Sequence, residues 1–99
     1  MKNLEVVKSP DEAFAIGLIY TSPDLDENET LSSATVTITG DEETITLLAV
    51  GNPILENGNK VSQKISGGTA NQEYKVIFQV VTSVGYTYED YIYVKVRSN

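Results

Sequence analysis

Apolar residues recur at every second position along most of this chain, which is the period of a strand with one buried face. "LEVV" (residues 4–7) is a short first strand, stopped by the turn signal Ser9-Pro10-Asp11. In "AFAIGLIYT" the side chains of Phe14, Ile16, Leu18 and Tyr20 share one face. Gly17 on the other face marks a bulge or a close backbone approach. The polar loop "TSPDLDENET" leads to "LSSATVTIT", which turns Ala34, Val36 and Ile38 inward and its threonines outward. Gly40-Asp41-Glu42-Glu43 turns the chain into "TITLLAV", and Gly51-Asn52-Pro53 is expected to close that strand. Asn57-Gly58 in "ILENGNKVSQKI" is a strong hairpin signal, after which Val61 and Ile65 point inward. Tyr74, Val76, Phe78 and Val80 then alternate with polar positions. Beyond a reversal at Gly85, Ile92, Val94 and Val96 do the same.

No segment sustains a period of 3.6, so no helix is expected. Seven or eight short strands separated by turn signals predict an all-β fold. The expected form is a two-sheet antiparallel sandwich of immunoglobulin-like type, with a partly open small β-barrel as the alternative. Ninety-nine residues suit one domain spanning residues 1–99.

Composition narrows the chemistry. The chain has no cysteine and no histidine, which removes disulfides, thiolate metal sites and the usual nucleophile–base pairs. A net charge of −7 argues against nucleic acid or an anionic membrane as a partner. The first residues contain no apolar run of signal-peptide length, and no stretch approaches membrane-spanning length.

The sequence "SGGTANQEYKV" raises one phosphate-binding possibility, because Gly67-Gly68-Thr69 resembles half of a cradle. Such a cradle needs a helix behind it, and here a strand follows. Gly67 and Gly68 therefore read as a corner between strands. Tyr74 stands where a sandwich tyrosine bonds back to the backbone of that corner.

Asp24, Asp26, Asn28 and Glu29 look like the start of a calcium loop. Glu29 and Thr35 occupy the sixth and twelfth positions, where glycine and glutamate are needed, so the motif fails. A solvated acidic loop is expected instead, and no metal or cofactor. Asn28-Glu29-Thr30 matches a glycosylation sequon and reads as chance. Glu42-Glu43 and Glu89-Asp90 are adjacent pairs that point to opposite faces, so neither makes an acid/base couple and no catalytic residue is assigned. Asp90 falls in the inward row of Ile92 and Val94 and is expected at the sandwich rim, paired with a lysine or a backbone amide. Tyr91 and Tyr93 fall on the outer row together, as an interface or as packing against Ile77 and Val81.

The segments "KSPDEAFAIGLIY", "TLSSATVTI" and "SGGTANQEYKVIFQVVTSVGYTYEDYIYVKVR" resemble small immunoglobulin-like structural proteins of tailed bacteriophages and prophages, of the fiber–tail adaptor or neck-associated type. The shared pattern runs through Lys8, Pro10, Asp11 and Glu12, then Ser66 to Ala70, Tyr74 and Val76. It continues through Val81-Thr82 and Gly85 and closes on Val94, Val96 and Arg97. Members often carry tryptophans where Tyr20, Val36 and Lys64 stand here. The resemblance implies a non-enzymatic adaptor joining tail or neck components through a sheet face or an edge strand. Its partners would be other phage structural proteins, with self-association in the assembled particle. It would sit in the host cytoplasm during assembly and in the virion afterwards. The alternative is a carbohydrate- or surface-binding module of an adhesin or secreted bacterial protein.

Overall fold

The computed structural model describes residues 3–21, 25, 26 and 28–97. The alternating segments become seven strands in it: β1 Asn3–Lys8, β2 Ala13–Ile19, β3 Leu31–Gly40, β4 Leu47–Glu56, β5 Lys60–Gly67, β6 Glu73–Thr82 and β7 Thr87–Val96. They form two sheets, one in the order β1-β7-β6-β3 and the other in the order β2-β5-β4, and the sheets do not close into a barrel. Every neighbouring pair is antiparallel except β1 with β7, which run parallel from Asn3 opposite Tyr91 to Lys8 opposite Val96. This is an immunoglobulin-like sandwich whose first strand has joined the sheet of the last two.

The core sits where the inner rows meet. Leu18 and Tyr20 come from the β2 side, Val61 and Ile65 from β5, Tyr74, Val76, Phe78 and Val80 from β6, and Ile92 and Val94 from β7. Each large apolar side chain buried this way contributes about 1.5–3 kcal/mol. Ala34, Val36 and Ile38 on β3 are only half-buried and pack against the edge of this cluster.

One expected strand end is wrong. Gly51-Asn52-Pro53 does not close β4; the strand runs through it to Glu56, with a register shift between Val50 and Ile54. Proline is tolerated there because β4 is an edge strand and an irregular stretch needs no ladder N–H. The carbonyls that leave the ladder find another donor. The buried Gln63 amide donates to Val50 O at 3.2 Å, Gly51 O at 3.2 Å and Lys64 O at 3.0 Å. Asn57-Gly58 turns with both φ angles positive, 54° and 74°, as a tight hairpin requires.

Candidate interaction surfaces and the polar corner

The corner after β5 brings Gly67, Gly68 and Tyr74 together. Both glycines have positive φ, 79° and 98°. A Cβ on Gly67 would stand 2.6 Å from Thr46 O, and one on Gly68 would stand 2.7 Å from Val96 Cγ2. The buried Tyr74 hydroxyl accepts the N–H of Thr69 at 2.9 Å and donates to the Glu42 carboxylate. Glu42 also accepts from the Thr69 hydroxyl at 2.5 Å and from the N–H of Thr46 at 3.2 Å. These donors, Thr69 first and Tyr74 next, hold the Glu42 carboxyl down from 4.5 to about 2.

Lys8 secures the other side of the corner. It shares a face of β1 with the half-buried Val6, opposite the buried Val96 of β7, and is 1% exposed. Its ammonium donates to Ser9 O at 2.6 Å and Gly67 O at 2.5 Å, while burial pushes its pKa down. Sequence reading missed this role, although the period of two already placed Lys8 on the core side.

Asp90 is 3% exposed, and the Tyr20 hydroxyl donates to its Oδ2 at 2.5 Å. A tyrosine reaching across from the β2 side is thus one partner of Asp90, and its ring stacks on Tyr88 at a centroid distance of 6.1 Å. Glu29 is also not solvated. It is buried, its Oε1 accepting the N–H of Asp26 at 3.0 Å, because the turn folds back on itself. Asp24 lies outside the described residues. Among the described residues, no three acidic, histidine or cysteine side chains gather to hold a metal.

Tyr91 and Tyr93 occupy the outer row of the four-stranded sheet and are half-buried. Tyr91 faces Ile77, with the Lys75 ammonium 3.9 Å from its ring centroid, and donates to Glu89 at 3.0 Å. Tyr93 faces Lys75, and both line an open depression of about 420 Å³ beside Thr39 and Glu73. At the far edge of that sheet, β3 presents ten residues with no charge and no proline.

The outer face of the three-stranded sheet was not singled out from sequence, yet it carries the largest group of exposed aliphatics. Cross-strand rows run Ala13–Ser66–Leu48, Ala15–Lys64–Val50, Gly17–Ser62–Ile54 and Ile19–Lys60–Glu56. Ile19, Leu48 and Ile54 are each 57–59% exposed. A signal existed: "LLAV" is apolar at both parities, so one of its faces had to stay outside in a sheet of this kind.

The family model described as Podophage GP4 fiber-tail adaptor protein gp77 matches residues 8–95. No curated protein matches the chain. Among solved structures, the secreted serine protease VesC from Vibrio cholerae matches 95% of the chain at 19% identity with a TM-score of 0.53. A 2,6-sialyltransferase from Photobacterium sp. JT-ISH-224 matches 99% of it at 11% identity with a TM-score of 0.48. The chain spans 21% of the protease and 18% of the sialyltransferase.

Proposed function

The chain belongs to the podophage GP4 fiber-tail adaptor family of gp77 type, and from that premise we propose that it is a non-enzymatic connector holding other virion proteins through its sheet surfaces. Within the four-stranded sheet, the observation that carries this reading is the β3 edge. Natural sheets protect their edges with charges, prolines or bulges, and along β4 this chain does so with Gly51 and Pro53. β3 has only a register shift at its very start, between Leu31 and Ser33, and is otherwise regular for its remaining length. Such an edge accepts an extended segment of a partner as an added strand. Tyr91 and Tyr93 widen the same sheet's contact surface with area gained at low entropy cost. Assembly in the host cytoplasm followed by incorporation into the virion belongs to the same proposal.

The test uses the phage that encodes the chain, carrying a nonsense codon in this reading frame. Particles from a non-suppressing host are expected to lack fibers by electron microscopy, and added purified chain should restore them. In restored particles, amides of residues 33–39 should exchange more slowly with deuterium than in the isolated chain. Fully fibered particles without the chain would overturn the proposal.

A further inference from the structure

The connector reading needs a second contact away from the β3 edge, and the opposite layer supplies a candidate. We propose that the outer face of the three-stranded sheet docks a second, different virion protein, whose contact surface carries carboxylates at its centre with apolar groups beside them. This inference rests on the connector reading and names one of its partners by chemistry.

Four aliphatic side chains, Ile19, Leu48, Val50 and Ile54, stand exposed on this face from its two outer strands. An exposed apolar group of this kind on a soluble domain marks a contact site. The charges on the face are Lys60, Lys64 and Glu56, a positive balance on a chain whose net charge is −7. Glu56 sits directly opposite Lys60 in the register, whereas the row neighbours of Lys64 are Ala15 and Val50, both apolar. A carboxylate brought onto Lys64 would therefore lie between apolar groups on the two flanking strands, with Ser62 and Ser66 next to Lys64 along β5, an arrangement that partly desolvates an interfacial ion pair.

The same charges select against other occupants. Two copies joined face to face about a two-fold axis would bring central-strand lysines of one copy toward those of the other, and both copies carry −7. Nucleic acid and anionic lipid would meet two lysines on an otherwise acidic molecule, too few phosphate contacts for binding.

The experiment titrates the fiber and tail proteins of the same phage, purified separately, with the intact chain in a calorimeter at low and high salt. It compares wild type with Lys64→Glu and with the double variant Val50→Ser/Ile54→Ser. All these side chains are on the outer face, so matching melting curves serve as the folding control. One of the two partners is expected to bind each variant roughly tenfold or more weakly than wild type. Salt should weaken wild-type binding more than it weakens binding by Lys64→Glu. Equal binding by all three forms would overturn this inference and leave the connector reading standing. Self-association of wild type that the double variant loses would also overturn it, with a second copy as the occupant. Failure of wild type to bind either protein would overturn both.

Discussion

Glu42 gathers donors from three directions, and the consequence can be read with pH. Its pKa in the folded chain, about 2, lies below the ordinary 4.5, so the ionised form stabilises the fold at every pH above the ordinary value. That contribution fades as pH falls from about 4.5 to about 2 and the carboxylate is protonated. Glu42→Gln is therefore expected to melt below wild type at neutral pH, with the gap shrinking across that window in a thermal series. A gap that persists unchanged at the acid end would rule this out. Tyr74 was readable in advance, because its distance from a glycine corner is a local signal. Glu42 was not, since an acid in a turn looks solvated until its donors arrive from 27 and 32 residues further on. Asp90 was legible in part: its row pointed inward, but its partner Tyr20 lies 70 residues away and is fixed only by how the sheets stack.

At the scale of elements, strands followed from alternation and turns from their glycines, while irregular stretches misled. The triplet Gly51-Asn52-Pro53 carries every mark of a strand end, yet Gln63 supplies the donor that lets β4 continue past it. A side chain from a neighbouring strand thus overrode the local signal, which no reading of β4 alone could anticipate. The corner between β5 and β6 behaves differently, because there backbone and packing demand glycine together. Gly68 combines a φ of 98° with a Cβ position 2.7 Å from Val96, whereas Gly51 has a φ of 74° and open space around it. Gly68→Ala is expected to cost roughly 2–3 kcal/mol in denaturant unfolding, and Gly51→Ala about 1 kcal/mol. Equal losses would mean that Val96 yields freely and that backbone strain alone sets the requirement.

The whole molecule is an elongated sandwich of 44 × 21 × 19 Å, and its outer faces were the least legible part. Burial leaves a periodic mark, but an exposed leucine looks like a core leucine until the layers are assembled. The parallel pairing of the first and last strands has its own consequence. Because β1 and β7 point the same way across six paired positions, the chain enters at one end of that ladder and leaves at the other. Tension applied across the two termini would load all the rungs together in shear, whereas pulling at Glu73 and Lys95, which face each other across β6 and β7, would unzip rungs one by one. Single-molecule stretching from the termini should thus need clearly more force than stretching between cysteines placed at those two positions, and equal forces would refute the idea. A small domain built this way would serve a particle as a link that resists being drawn apart lengthwise while still yielding to a sideways peel.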